Sequence, residues 1–166
     1  MNYPKRKNIR LEGHDYRENG GYYLTICTDQ KRCILSSISK GNGTERAVTA
    51  LTSLGQIVQQ TIEETATKYE VIIDSYVIMP NHIHMIIILD EQSRISVGRF
   101  VGVIKSVTAN RWGKVCESDG IRTGKIWQRN YYDHILRNES DYREKRRYVE
   151  DNPDRWNADD LFVASQ

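Results

Sequence analysis

Four branched or long apolar residues in a row, Ile86-Ile87-Ile88-Leu89, close a stretch that begins Met79-Pro80-Asn81-His82-Ile83-His84-Met85. A strand apolar on both faces belongs in the middle of a sheet, covered on each side. The segment before it, Val71 to Met79, also reads as a strand, and Pro80-Asn81 is so short a link that the two must run antiparallel. In an extended backbone alternate side chains share a face, so His82 and His84 project together at the mouth of the buried strand. Two imidazoles so placed can hold a divalent ion. They can also simply hydrogen-bond to backbone or water, which is the commoner case for a bare His-x-His.

The remaining elements follow from periodicity. Tyr22 to Thr28 is rich in β-branched and aromatic residues and reads as the first strand. Gly41-Asn42-Gly43 is a turn, with a short hairpin expected around it that includes Ala47 to Leu51. Leu54, Ile57, Val58, Thr61 and Ile62 recur at helical spacing, which predicts an amphipathic helix over Ser53 to Lys68 with Ser53 as N-cap. A second, longer helix is expected over Ile95 to Val115, with Lys105 and Arg111 off its apolar stripe, and a loop over Gly113 to Lys125. Tyr131 to Arg137 reads as the last strand. Asn138 opens a C-terminal helix, Asp141 following three residues on, and Asn152-Pro153 closes it. The order β-α-β-β-α-β plus a helix is that of the split βαβ, or ferredoxin-like, antiparallel sheet, an α+β fold whose first and third strands are central.

A chain of 166 residues supports one compact domain. The expected division is a basic arm over 1–21, one domain over 22–156 and a tail over 157–166. No apolar run approaches the roughly 20 residues of a membrane span, and the basic N-terminus (Lys5, Arg6, Lys7, Arg10) has no apolar stretch behind it to make a secretory signal. Cys27, Cys33 and Cys116, odd in number and widely spaced, suit a reduced cytosolic protein and form no zinc motif. Net charge is only +2, but Arg94 to Arg147 holds thirteen Lys or Arg against six Asp or Glu. That local surplus fits a phosphate-backbone partner, although a solvated helix face also carries such runs.

On the C-terminal helix, Tyr142 and Val149 are seven apart and mark the buried stripe. Tyr148 lies about 100° from Val149, and Asn152 is four residues on, so tyrosine and carboxamide face the same way. Spacing alone leaves Tyr148 as either a surface tyrosine or a working one.

Three stretches taken together narrow the choice: Met79-Pro80-Asn81-His82-Ile83-His84 with its apolar run, Trp127-Gln128-Arg129-Asn130-Tyr131-Tyr132-Asp133-His134, and Tyr148-Val149-Glu150-Asp151-Asn152-Pro153. From Tyr22 to Trp156 the chain resembles the single-tyrosine HUH transposases of small insertion sequences, and more closely their REP-associated relatives. The resemblance implies the same ferredoxin-like core, with helices on one face of the sheet and a C-terminal helix that carries the nucleophile. It implies a DNA transposase that nicks and joins single strands through a 5′-phosphotyrosine. His82 and His84 would be the metal pair, Asn152 the third ligand and Tyr148 the nucleophile. Neutral nitrogen and oxygen ligands with open positions suit Mg²⁺ or Mn²⁺.

The expected partner is single-stranded or hairpin DNA, with Arg129, Arg137, Lys145, Arg147 and Lys105 as candidate DNA contacts. His134 would be a third imidazole near the metal or, more in keeping with the family, a structural or DNA-contacting residue. Further expectations are a bacterial cytoplasmic location at the nucleoid and a monomer, as in the REP-associated group, over the homodimer of insertion-sequence relatives. The chain departs from the pattern in its dense basic segment Arg143 to Arg147, in the Gly41 region and in its tail, and Tyr142, on the buried stripe, offers no second nucleophile. Two other readings compete: a domesticated protein that binds a DNA hairpin without cutting it, and an RNA-binding domain on a similar sheet. The latter would need aromatic residues on the exposed face of the histidine strand, and that strand has none.

Overall fold

The structure, a computed structural model, describes residues 19–39, 46–121 and 123–163. In chain order the elements are β1 (Gly20–Cys27), β2 (Ser36–Ser39), β3 (Val48–Leu51), α1 (Ser53–Tyr69), β4 (Ile72–Ile78), β5 (His82–Leu89), α2 (Val97–Ser118), β6 (Tyr132–Leu136) and α3 (Glu139–Asp151). Two 3-10 turns, Asp29–Lys31 and Trp156–Ala158, complete the list. The main sheet runs β4-β5-β1-β6 with every neighbouring pair antiparallel. This is the expected ferredoxin-like order, with β1 and the histidine strand β5 in the middle. β2 and β3 pair separately as the expected small hairpin. Its turn at Gly41–Gly43, like nearly all of the basic arm, lies outside the described residues.

Alternation divides the sheet into two faces. Tyr22, Leu24 and Ile26 of β1 and Ile83, Met85 and Ile87 of β5 are fully buried. They join Leu54, Val58 and Ile62 of α1 and Phe100, Val101 and Ile104 of α2 in the main core. α1 and α2 pack together over this face. On the other face Tyr23 and Ile86 meet Val149 of α3, with Val77, Leu136 and Tyr142 around them. A residue skipped in the ladder of β4, between Ile73 and Ser75, leaves Asp74 at an irregular position. Its Oδ1 accepts a 2.9 Å hydrogen bond from the Tyr142 hydroxyl, a second anchor for α3.

Element ends differ from the sequence expectation for local reasons. The N-cap of α1 is Thr52 rather than Ser53; its hydroxyl accepts from the Gly55 N–H at 3.0 Å. Gly55 itself is needed, because a Cβ there would fall on the Leu35 carbonyl oxygen. α2 begins after Ser96, whose hydroxyl accepts from the Arg99 N–H, and it continues through Gly113 to Ser118, because Cys116 in its last turn is buried. The chain then turns at Gly120 (φ 69°), in the left-handed region that favours glycine. Asn138 caps α3 as expected, accepting from the Asp141 N–H at 2.9 Å.

Candidate active site

β5 starts at His82, directly after the Pro80-Asn81 link, and its alternation turns both histidines toward the α3 face. Their ring centroids are 4.3 Å apart, set edge-on at 64°, and both rings are buried. Each ring is held through Nδ1. His82 Nδ1 lies 2.8 Å from Asn81 Oδ1. The amide nitrogen of Asn81 already donates to the carbonyls of Lys31 and Leu161, so its oxygen is the end that faces the ring. His82 therefore donates from Nδ1 and keeps a lone pair on Nε2. His84 Nδ1 lies 2.7 Å from the Tyr23 hydroxyl and 2.9 Å from that of Thr25. Nε2 of both rings is buried without a hydrogen-bond partner. Burial pushes His82 down to about 4, and burial with the neighbouring His82 pushes His84 down to about 3, with Asp159 opposing the shift in each. Both rings are thus neutral at pH 7, the form that ligates metals.

α3 starts at the far end of the sheet, beside Leu136, which pairs with Gly21. Thirteen residues at about 1.5 Å each carry it back along the sheet to the histidine end. There Tyr148, 36% exposed, sets its ring 5.1 Å from that of His84 and 6.3 Å from that of Tyr23. Asn152, one turn on, is 1% exposed. Its Nδ2 donates to Asp159 Oδ2 at 2.7 Å, and its Oδ1 is buried and unpartnered. Tyr148 donates its hydroxyl to the same Asp159 oxygen at 3.1 Å. Burial first, then the Asp159 charge, pushes the Tyr148 phenol up to about 12.

Asp159 was not legible in the sequence. It follows the Trp156–Ala158 turn, and no spacing links it to the histidines. Burial would raise its carboxyl, but hydrogen bonds from Asn152 and the Leu161 N–H, the nearby His82 and the Tyr148 hydroxyl outweigh that, so the net shift is downward. One ligand atom each from His82, His84 and Asp159 lie within 4.8 Å of one another. The residues behind the histidines, Asn81, Tyr23 and Thr25, were also unassigned from sequence, although Asn81 stands inside the Met79–His84 motif.

The other candidates are scattered. Arg147 is exposed and lines an open groove of about 840 Å³ beside Tyr148, with Arg143 and Arg155. Lys145 pairs with Glu144 and lies 5.8 Å from the Tyr23 ring centre. The Gln128 N–H donates to the Cys27 carbonyl, and Cys27 pairs with His82, which puts exposed Arg129 at the histidine end of the sheet. Lys105 donates to the carbonyls of Gln128 and Asn130 at 2.9 and 3.0 Å and so shapes that loop; burial pushes its ammonium down to about 8. Arg137 is exposed at the opposite end. His134 is held by Asp141, with both carboxylate oxygens 2.9 Å from its Nε2, and Trp127 is core.

Three polar atoms, His82 Nε2, His84 Nε2 and Asn152 Oδ1, are thus buried without hydrogen-bond partners beside a tyrosine hydroxyl and a carboxylate. Such atoms are costly to leave unpaired, and their type and arrangement fit a divalent cation. A family model described as "Transposase IS200 like" matches residues 43–152. This chain belongs to that family. The matched span of the transposase family holds His82, His84, Tyr148 and Asn152 and stops short of Asp159. An uncharacterized protein of Haemophilus influenzae Rd is 32% identical over 174 residues, covering 95% of this chain and 93% of that one. Among solved structures, a REP-associated tyrosine transposase bound to a REP hairpin is similar in fold (TM-score 0.60, 21% identity, 88% of this chain and 74% of that one). So is a candidate transposase from Deinococcus radiodurans R1 (TM-score 0.53, 15% identity, 85% and 95%). Among the described residues no helix is long and apolar enough to cross a membrane.

Proposed function

We propose that this transposase acts on single-stranded or hairpin DNA, nicking and rejoining one strand through a covalent bond to Tyr148, with Mg²⁺ or Mn²⁺ held by His82, His84 and Asn152. What carries this reading is that three unpartnered buried atoms lie in the same cluster as Tyr148, whose ring is 5.1 Å from that of His84 and whose hydroxyl shares Asp159 Oδ2 with Asn152. The fold likeness to a transposase bound to a REP hairpin supports hairpin DNA as the substrate class.

The chemistry follows from the chain's own groups. The Tyr148 oxygen attacks phosphorus in line, the P–O3′ bond breaks, and the departing strand keeps a 3′-hydroxyl while the other is left as a 5′-phosphotyrosine. His82, His84 and Asn152 would hold a divalent ion, which would supply polarisation of the scissile phosphate and neutralisation of developing charge. In the metal-free chain burial and Asp159 push the Tyr148 phenol up to about 12, and the acceptor its proton already faces is Asp159 Oδ2. A second 3′-hydroxyl attacking the phosphotyrosine reverses the step and frees Tyr148, so one phosphodiester replaces another and no ATP is consumed.

Arg147 and Arg129, both exposed, would hold backbone phosphates at the histidine end. Arg137, at the far end of the sheet, is suited to a hairpin stem running along it. Lys105 and Lys145 add positive charge behind them. Because α3 packs on its own sheet through Val149 and Tyr142, one chain holds a whole site, which favours a monomer. The test is incubation of a labelled hairpin oligonucleotide with Mn²⁺ and denaturing electrophoresis. The wild type should form a covalent adduct and Tyr148→Phe none. An adduct from both proteins would remove Tyr148 from the mechanism, and one from neither would leave a protein that binds the hairpin without cutting it.

A further inference from the structure

We infer that Asp159, delivered by the segment after α3, is itself a ligand of the cation site and completes it with a carboxylate. This rests on the reading above that His82, His84 and Asn152 hold a divalent ion. Its own support is geometric, since one ligand atom each from His82, His84 and Asp159 lie within 4.8 Å of one another, and is independent of any sequence resemblance.

The Asp159 side chain is 1% exposed. All three donors to it are neutral: the Tyr148 hydroxyl, the Asn152 amide and the Leu161 N–H, the last at 2.7 Å. Among the described residues no Lys or Arg forms an ion pair with it. Its nearest basic group is His84 Nε2 at 4.0 Å, beyond hydrogen-bond reach. A buried negative charge without a cationic partner is strongly disfavoured unless it coordinates a metal. Next to this carboxylate stand the unpartnered nitrogens of His82 and His84 and the unpartnered oxygen of Asn152. One divalent ion would satisfy all three and neutralise the fourth.

The segment is tied down where this role requires. Asn81 Nδ2 donates to the Leu161 carbonyl at 2.8 Å while Asn81 Oδ1 orients His82, so a single side chain fixes both a histidine and the loop that carries Asp159. The Trp156 ring lies 6.0 Å from that of His82 and 5.2 Å from that of Phe162, which packs the loop over the site. A charged oxygen added to two imidazoles and a carboxamide lowers the site's net charge from +2 to +1. It raises affinity for hard ions such as Mn²⁺ and Mg²⁺.

The test is Mn²⁺ binding to the DNA-free protein, followed by the electron paramagnetic resonance signal of free Mn²⁺ and by calorimetry. Asp159→Asn keeps the shape and removes the charge; it should weaken Mn²⁺ binding by about tenfold or more, in the range of ligand-set losses. His84→Ala should abolish binding, and Asp160→Asn, a change at the exposed neighbour, should leave it unchanged. Circular dichroism and melting confirm that each variant is folded. Asp159→Asn within twofold of wild type, with His84→Ala dead, would overturn the role of Asp159 and leave the histidine site standing. A wild type that binds no Mn²⁺ would overturn both.

Discussion

Adding Mn²⁺ to the DNA-free protein should raise its melting temperature, and Asn152→Leu should remove most of that rise without unfolding the metal-free protein. His82 Nε2, His84 Nε2 and Asn152 Oδ1 are each buried and unpaired. An unsatisfied buried polar atom costs about 1–3 kcal/mol, so the metal-free fold carries a burden that a bound cation would relieve. At a hundredfold excess over Kd, mass action contributes about 2.7 kcal/mol. At about 2–4 °C per kcal/mol for a chain of this size, that is a rise of about 5–11 °C. In Asn152→Leu the orphan carbonyl disappears, a gain of about 1–3 kcal/mol, and the bond to the Asp159 carboxylate is lost, a cost of about 1.5–3 kcal/mol. The two nearly cancel, so the metal-free variant should melt within a few degrees of wild type while its response to Mn²⁺ shrinks. Differential scanning fluorimetry in Mn²⁺ and in EDTA reads both numbers. Equal Mn²⁺ shifts in the two proteins would refute the reasoning, as would a metal-free variant more than about 10 °C less stable, which would make the carboxamide a structural bond.

Three further outcomes follow from the packing and charge. His82 and His84 titrate far below the ordinary value of 6.5 in the fold, at about 4 and about 3, so the unfolded chain takes up their protons first. The metal-free protein should therefore be fully stable above pH 6.5 and lose roughly 2 kcal/mol per ring by pH 5; urea melts at the two pH values measure this, and a flat profile would place the rings in water. Val149→Ala should cost about 2 kcal/mol by opening the contact of α3 with Tyr23 and Ile86, and adduct formation should slow as Tyr148 loses its fixed place, followed by melting and gel assay. Arg147→Ala and Arg155→Ala, in the groove beside Tyr148, should each weaken hairpin binding and lower the slope of log affinity against log salt by about 1, read by fluorescence anisotropy across a salt series.

The sheet was legible because its signals are local. Pro80-Asn81 fixes the β4–β5 turn, Ile86 to Leu89 fixes a central strand, and period two turns His82 and His84 one way. The single-face relation of Tyr148 and Asn152 was legible for the same reason, since four residues make one helical turn. The caps were nearly so: Thr52 and Ser53 are adjacent hydroxyl residues, and what selects Thr52 is its position beside the carbonyls of Ile34 and Leu35, to which its hydroxyl also donates. Gly113 suggested an end to α2, but the roughly 1 kcal/mol it costs a helix is outweighed by the burial of Cys116 beyond it. Asp159 was out of reach. Its place depends on Asn81 gripping the Leu161 carbonyl across 80 positions of chain, a tertiary contact with no periodic trace.

Digestion of the trapped adduct with trypsin tests Tyr148 as nucleophile most directly. Cleavage after Arg147 and Arg155 isolates the peptide from Tyr148 to Arg155, whose only tyrosine is residue 148. Mass spectrometry should find the 5′-nucleotide mass on that peptide and nowhere else. The same mass on a peptide carrying Tyr23, Tyr132 or Tyr142, with the Tyr148 peptide unmodified, would contradict it.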